Sequence, residues 1–321
     1  MSVNWSIIKR NIEKWLSVVS DILIISDGKP GHVNQSKGLA EALVRRNPAL
    51  VVEVRPPLSI LNALSLLIKS MFLGGASPSM KPTALVLAAG HKTHWTALAL
   101  GRFFKAKTVV LMKPSLPISW FDQCVIPEHD LLDVDQLPAN VIQTRGALNR
   151  VVAQPKQHGT GLILLGGPSK HYEWHDQQVL DQISSVLTGF PDTQWTLATS
   201  RRTPDSLVKA LSGLDSVFTL VLAEDTSSDW LPNTIAITET CWVTEDSISM
   251  TYEALTAGCV VNLINLLPAE KSRVVKGIER LKTDELVGSL SKPASSQNPI
   301  ALAEADRSAE IILGYGWLGE Q

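Results

Sequence analysis

The segment SDGKPGH, residues 26–32, combines glycines with a carboxylate and an imidazole directly after an apolar run. A histidine in such a loop suits general base catalysis, because its reference pKa lies close to neutral pH. Glycines let the backbone approach a ligand, and amide hydrogens at the start of a following helix attract anions. We therefore take His32 and Asp27 as candidate catalytic residues. A second substrate that accepts a transferred group, the acceptor, would bind beside them. Its candidate contacts are Gly28, Lys29, Gly31 and Gln35.

A second polar loop, AAGHKTHW, places His91 and His94 three residues apart at the end of another apolar run. Ligands bind at this edge in open α/β sheets, so contact of both histidines with an acceptor or phosphate is one interpretation. The other is a simple helix N-terminus with Thr93 as its cap. A metal site needs a further ligand that this spacing does not offer, so no metal is expected.

Three segments in the second half of the chain have residue types that suit a nucleoside diphosphate. The loop GGPSK contains Gly166 and Gly167, whose amides can cradle phosphate. The segment TSRRTP places Ser200, Arg201 and Arg202 at the end of a predicted strand. A guanidinium group suits a diphosphate, and a solvated arginine pair is the equal alternative.

The third segment, VTEDSISMTYEALTAG, predicts a helix whose first turn has unpaired amide groups near Ser247 and Ser249. Glu253 follows Asp246 by about two helical turns, and its carboxylate would accept hydrogen bonds from both hydroxyls of a ribose. A capping run before an ordinary amphipathic helix is the alternative. The candidate nucleotide-sugar contacts are therefore Gly166, Gly167, Ser200, Arg201, Asp246, Ser247, Ser249 and Glu253.

Apolar runs that alternate with helical patterns position all of these loops. The alternation predicts an α/β protein with two Rossmann-like domains facing a cleft, which is a GT-B-like fold. The predicted domains are 1–153, which would bind the acceptor, and 161–321, which would bind the nucleotide-sugar. A polar linker at 154–160 joins them, and the last helix is able to pack back on the N-terminal domain. Residues 234–247 predict a strand region.

Composition excludes several classes of protein. Hydrophobic residues make up 45% of the chain and charged residues 19%, and no run reaches the ~18 apolar residues of a membrane span. The N-terminal residues do not have the pattern of a secretory signal. The three cysteines are widely spaced, which predicts reduced thiols and a cytoplasmic location.

Charge is distributed unevenly along the chain. Residues 1–160 hold 18 Lys and Arg against 10 Asp and Glu, whereas 161–321 hold 11 against 21. A basic half indicates an anionic partner such as a lipid headgroup or a phosphorylated acceptor. Nucleic acid is not expected, because no nucleic-acid motif accompanies the charge. The apolar segment 58–73 contains a single charged residue, which suits either a buried helix or a helix on a membrane surface.

Five segments together resemble the family named for the plant mitochondrial fission factor, between about residues 21 and 265. They are ISDGKPGHVNQSKGLAEAL, VLAAGHKTH, TRGALNRV, LLGGPSK and VTEDSISMTYEALTAG. Members of that family are regarded as glycosyltransferases with a GT-B-like fold. GKPGH and SISMTYEALTAG also resemble, more distantly, segments of the lipid-linked N-acetylglucosaminyltransferase of peptidoglycan synthesis. That resemblance implies that His32 contacts the acceptor or acts as base, that Ser247 and Ser249 hold the diphosphate, and that Glu253 holds the ribose.

Two positions depart from those enzymes: Asp246-Ser247 replaces a pair that contains glycine, and Cys-Val-Val follows Gly258 in place of a proline. We expect a hexosyltransferase that uses a UDP-sugar or another nucleotide-sugar donor and no cofactor. Its acceptor would be a cell-envelope glycan or a lipid-linked glycan such as the lipopolysaccharide core. Contact with the inner face of the cell membrane through 58–73 belongs to this hypothesis. The alternatives are a nucleotide-sugar 2-epimerase of the same fold and a non-catalytic, membrane-associated adaptor.

Overall fold

The computed structural model describes residues 20–72, 83–131, 136–214, 217–294 and 301–319. These residues form two compact units. The first unit ends at Arg150 and includes the chain again from Glu304, and the second unit is Val151–Ala303. The C-terminal helix therefore lies in the first unit, because it packs there beside the first helix.

The first unit contains a sheet with the strand order β2-β1-β3-β4-β5-β6, in which every neighbouring pair is parallel. Strand β1 is followed by a helix that leads to β2 at one edge, and the chain then crosses to β3 on the other side of β1. The strands are β1 Ile22–Ile25, β2 Val52–Arg55, β3 Leu85–Ala89, β4 Lys107–Leu111, β5 Gln123–Pro127 and β6 Val141–Thr144. The helices are α1 Pro30–Arg46, α2 Ile60–Phe72, α3 His94–Phe104 and, at the end of the chain, α9 Glu304–Gly314.

Helices cover both faces of this sheet, and each face has its own apolar core. One core joins α2 and α3 to the sheet through side chains such as Leu66 and Leu100. The other joins α1 and α9 to it, with Leu39 and Ile312 among its members. Asp306 of α9 also pairs with two arginines at the end of α1. This apolar and ionic contact holds the last helix in the first unit.

The second unit repeats this plan with the strand order β10-β9-β7-β11-β12-β14, again with parallel neighbours. A short antiparallel pair, β13 with β8, lies outside the main sheet. The strands are β7 Gln157–Leu164, β8 Tyr172–Glu173, β9 Gln194–Ala198, β10 Thr219–Val221, β11 Thr238–Thr244, β12 Val260–Ile264, β13 Leu267–Pro268 and β14 Gly288–Ser289. The helices are α4 Asp176–Gly189, α5 Asp205–Ser212, α6 Trp230–Ile237, α7 Ile248–Ala257 and α8 Arg273–Thr283.

Two local predictions differ from the structure. The polar segment predicted as a linker is part of β7 from Gln157 onward, and Gly159 with φ 74° accompanies an irregularity in the register with β11. A bulged, half-exposed strand end is polar, so its composition is similar to that of a linker. Residues 234–237 belong to helix α6 rather than to a strand. Ile235 and Ala236 are buried there, because packing outweighs the strand preference of a β-branched run.

The apolar segment 58–73, described up to residue 72, forms helix α2 from Ile60 onward. Ala63 and Leu66 face the core, while Leu61, Ile68 and Met71 are exposed. No helix among the described residues combines the length and the apolar character needed to cross a membrane.

Candidate functional site

The two sheets each have a point where the strand order changes direction, and the candidate residues lie at these points. In the first sheet the change falls between β1 and β3, so the loops after these strands are neighbours at the carboxyl edge. In the second sheet it falls between β7 and β11. Ligands of open α/β sheets bind at such points, because adjacent loops diverge there and leave a crevice.

Asp27, in the loop after β1, forms a hydrogen-bonded pair with His32, in the first turn of α1. His32 Nδ1 lies 2.9 and 3.0 Å from the two carboxylate oxygens of Asp27. The Asp27 side chain is 2% exposed and that of His32 19%. A carboxylate only accepts hydrogen bonds, so Nδ1 carries the hydrogen and the neutral ring has its basic nitrogen at Nε2. This is the arrangement in which a buried acid orients a histidine as general base.

The pKa of Asp27 supports the ionised form of this carboxylate. Burial by itself raises the pKa of Asp27. Hydrogen bonds from His32 and from the Lys29 amide, together with the positive charges of both residues, lower this pKa by more than burial raises it. The net shift places the pKa below the ordinary value. Asp27 is therefore a carboxylate at neutral pH.

Gly90, the first residue after β3, makes room for the His32 ring. Its φ is 87°, and a Cβ at this position would lie closer than 3.0 Å to ring atoms Cε1 and Nδ1 of His32 and 3.3 Å from Asp27 Oδ2. Only glycine adopts this backbone geometry readily and leaves the space empty. Gly90 is not among the candidate residues drawn from the sequence, although a glycine directly after a buried strand was the available signal.

The two histidines of the second loop have different surroundings. His91 is exposed, whereas His94 is buried, with Nδ1 3.1 Å from the Ser115 hydroxyl. Burial, followed by the positive charges of His91 and His32, lowers the pKa of His94 to about 4. His94 is thus neutral at neutral pH. Thr93 does not cap α3, because its hydroxyl donates to the Gly90 carbonyl oxygen instead.

The remaining acceptor candidates lie on the start of α1. Gly28, with φ 78°, Lys29 and Gly31 are exposed, and Gln35 is buried one turn further along the helix. Lys29 is the N-cap residue and its side chain makes no capping hydrogen bond. The first hydrogen bond within α1 is donated by the Val33 amide to the Lys29 carbonyl oxygen. The amides before Val33 therefore have no partner within the helix.

In the second unit a buried carboxylate ties two loops together at the switch point. Asp246 accepts hydrogen bonds from the Gly167 amide at 3.1 Å and from Arg202 Nη2 at 2.7 Å. Its side chain is fully buried, and a Cβ on Gly166 would overlap it. Arg202 also donates to the Gly167 carbonyl oxygen. A buried carboxylate with these partners positions the glycine loop.

Ser200 also contributes to this loop structure. Its hydroxyl donates to the Gly166 carbonyl oxygen at 2.8 Å, and Thr203 donates to the same oxygen. Arg201 is exposed and Arg202, its neighbour, is the residue that pairs with Asp246. Local sequence does not show which of the two adjacent arginines turns towards the sheet, and the contact of Arg201 with a diphosphate stays a prediction.

Helix α7 begins at the same edge of the second sheet. Ser247 is its N-cap residue but makes no side-chain cap, and the first turn holds no acidic residue. The first helical bond runs from the Thr251 amide to the Ser247 carbonyl oxygen. Ser249 is exposed and Glu253, four residues on and therefore on the same face, is 9% exposed. The helix ends at Gly258, whose φ of 75° is the left-handed cap.

Comparison with known proteins identifies the family. The family model described as Mitochondrial fission ELM1 matches residues 30–315. The chain belongs to this family. This confirms the resemblance drawn from the loop motifs. A relative, "Uncharacterized protein RP120" of Rickettsia prowazekii (strain Madrid E), is 23% identical over 289 residues, which is 74% of this chain and 81% of the relative.

Solved structures with a similar fold support the fold class. The putative UDP-N-acetylglucosamine 2-epimerase from Listeria monocytogenes has a TM-score of 0.56 at 13% identity, over 92% of this chain and 95% of that one. The S. aureus MnaA-UDP co-structure has a TM-score of 0.50 at 13% identity, over 92% and 97%. These similarities and the two parallel sheets confirm the predicted α/β fold with two Rossmann-like, GT-B-type domains.

Proposed function

We propose that this member of the family is a glycosyltransferase that moves a sugar from a nucleoside diphosphate sugar to a hydroxyl group of an acceptor. The observation that carries the proposal is the Asp27–His32 pair at the switch point of the first sheet. His32 would take the proton of the acceptor hydroxyl through Nε2 as the hydroxyl attacks the sugar carbon. Asp27 would stabilise the imidazolium that forms.

The donor would bind at the switch point of the second sheet. The first turn of α7 has no side-chain cap and no acidic residue, so its positive end suits a diphosphate. Ser249 lies exposed in this turn, and Glu253 shares its face as the ribose contact. Asp246 and Arg202 would support the donor site indirectly, because their ion pair holds the glycine loop in place. Stabilisation of the leaving diphosphate by amide groups would need no metal ion.

We propose a cell-envelope glycan or lipid-linked glycan, such as the lipopolysaccharide core, as the acceptor, at the cytoplasmic face of the membrane. The excess of Lys and Arg in residues 1–160 supports an anionic acceptor. Gly28, Lys29 and Gly31 precede His32 in the chain and are exposed, and they would contact the acceptor.

The donor site is tested by calorimetric titration of wild type and Glu253→Ala with UDP and UDP-N-acetylglucosamine. Loss of the bonds to two ribose hydroxyls should weaken binding by about tenfold or more, since hydrogen bonds to a charged group contribute about 1.5–3 kcal/mol. Glu224→Ala is the matched control, because Glu224 is an exposed glutamate of the same unit. Equal affinity in wild type and Glu253→Ala, or no affinity in either, contradicts the assignment.

The catalytic pair is tested with His32→Ala. We expect UDP release from UDP-N-acetylglucosamine, with a bacterial membrane lipid extract as acceptor, to fall by about 10²–10⁴-fold. UDP affinity should stay unchanged, because His32 lies in the first unit. His175→Ala, a change of an exposed histidine in the second unit, serves as control and should keep full activity. Full activity in His32→Ala would show that His32 is not the general base.

A 2-epimerase is the second candidate, because the L. monocytogenes structure of similar fold bears that description. The two candidates differ in their need for an acceptor. Incubation of the chain with UDP-N-acetylglucosamine alone, followed by nuclear magnetic resonance of the sugar, separates them. Accumulation of the 2-epimer would favour the epimerase and count against sugar transfer.

A further inference from the structure

The first unit carries an apolar groove that the proposed catalysis does not use. The groove has a volume of about 1010 Å³ and lies between α2, α3 and the segment that leads from α3 to β5. Its apolar lining includes Leu67, Met71, Trp95, Leu98 and Trp120. Trp95 and Trp120 contact each other edge to face at 6.0 Å, and Trp120 is 52% exposed. A partly exposed tryptophan beside apolar surface is typical of a boundary between apolar and aqueous surroundings.

Helix α2 extends this apolar surface beyond the groove. Leu61, Ile68 and Met71 are 81%, 55% and 57% exposed and lie at helical spacing on one side. The core contact of α2 is made by its other side, through Ala63 and Leu66. A helix that is apolar on both sides but covered on only one leaves an apolar stripe for a further partner.

The rim of the groove is positively charged. Arg102, in the last turn of α3, and Lys105, directly after it, line the groove and are exposed. Neither has a carboxylate partner within the part of the chain that the structure describes. Lys107 differs, because its ammonium group lies 2.8 Å from Asp122 and is neutralised there. Two uncompensated cations therefore border an apolar surface.

We propose that this face of the first unit binds the surface of an anionic phospholipid bilayer. The exposed stripe of α2 and Trp120 enter the apolar boundary of the bilayer, and a hydrocarbon chain occupies the groove. Arg102 and Lys105 bind the phosphate of the headgroup. Apolar side chains bordered by cations match the order of acyl chains and anionic headgroups in a bilayer. This binding is separate from the proposed catalysis, since none of its residues belongs to the donor or acceptor candidates.

The charge contribution is tested by flotation with phosphatidylcholine vesicles that contain or lack phosphatidylglycerol. Wild type should bind mainly to the vesicles with phosphatidylglycerol, and binding should weaken as salt screens the charges. Arg102→Gln with Lys105→Gln should lower the partition coefficient about 30-fold, since each cation near an anionic surface contributes about fivefold. The matched control is Lys209→Gln with Lys276→Gln, exposed lysines of the second unit, and it should bind as wild type does.

The apolar contribution is tested by quenching of tryptophan fluorescence with brominated acyl chains. Quenching of wild type should exceed that of Trp120→Phe, because the Trp120 ring lies at the acyl boundary. Leu61→Glu with Ile68→Glu should reduce binding to vesicles with phosphatidylglycerol by at least tenfold, since both side chains are exposed and the changes leave the core intact. Absence of vesicle binding in wild type, equal binding by the Arg102 and Lys105 variant, or equal quenching without Trp120 would each overturn the proposal.

Discussion

Replacement of Gly90 by alanine would place a methyl group where the His32 ring lies. The new Cβ would approach the ring closer than 3.0 Å and Asp27 Oδ2 to 3.3 Å. Gly28 has a similar φ, 78° against 87°, but no atom lies within 4 Å of the corresponding Cβ. Gly28→Ala is therefore a matched control, which has the backbone strain of a positive φ without the steric clash.

The magnitude follows from two contributions. Backbone strain in the left-handed region costs about 1–2 kcal/mol for a residue with a Cβ. The clash can be relieved by movement of the His32 ring, which breaks its hydrogen bond to the Asp27 carboxylate and costs a further ~1.5–3 kcal/mol. Gly90→Ala should therefore lower the free energy of unfolding by about 2.5–5 kcal/mol. Gly28→Ala should lower it by about 1–2 kcal/mol.

A double-mutant cycle with His32→Ala isolates the clash. Without the ring, Gly90→Ala should cost only the ~1–2 kcal/mol of backbone strain, so the coupling energy should be about 1.5–3 kcal/mol. Hydrogen exchange of amides in β1 and β3 measures the stability of the first unit by itself, which is needed because two-domain chains commonly depart from two-state unfolding. Equal losses in Gly90→Ala and Gly28→Ala, or a coupling energy below ~0.5 kcal/mol, would refute the reasoning.

The remaining predictions concern one titrating group and two packed positions. His94 has a pKa of about 4 in the folded chain and about 6.5 when unfolded, so the unfolded state binds more protons between these values and stability falls as pH drops through this window. From pH 7 to pH 5 the loss should be about 2 kcal/mol, and urea titration of His94→Gln should lack it. Arg202→Ala leaves the Asp246 carboxylate buried without its cation. Hydrogen exchange in β7 and β11 should show that the second unit loses about 2 kcal/mol of stability, less than for a fully buried pair because solvent screens the partly exposed Arg202. Gly38→Ala would bring a Cβ onto the Asn149 carbonyl oxygen and should destabilise the first unit by about 1–3 kcal/mol. The same change in an unobstructed helix would stabilise the protein. A thermal melt measures the direction of the change, and an increase in melting temperature would contradict the clash.

Local pattern in the sequence determined the alternation of strands and helices and the loops that carry the candidate residues. Apolar runs predicted β1 and β3, and the polar segments after them contain Asp27, His32 and His94. These predictions depend only on periodicity and on the turn residues, which act over a few neighbouring positions. Where packing over long distances decided, as for residues 234–237 and for the start of β7, local pattern predicted the wrong element.

The direction of side chains was decided only by the tertiary structure. The sequence placed Asp246 among the ligand contacts, but its carboxylate turns inward to Arg202 and the glycine loop. Gly90 borders His32 because β3 lies beside β1 in the sheet, a neighbour relation between residues almost sixty positions apart. Strand order sets which loops meet, and burial sets which of two adjacent side chains faces the core. Both arise from contacts between distant segments, so a single sequence read locally does not contain them.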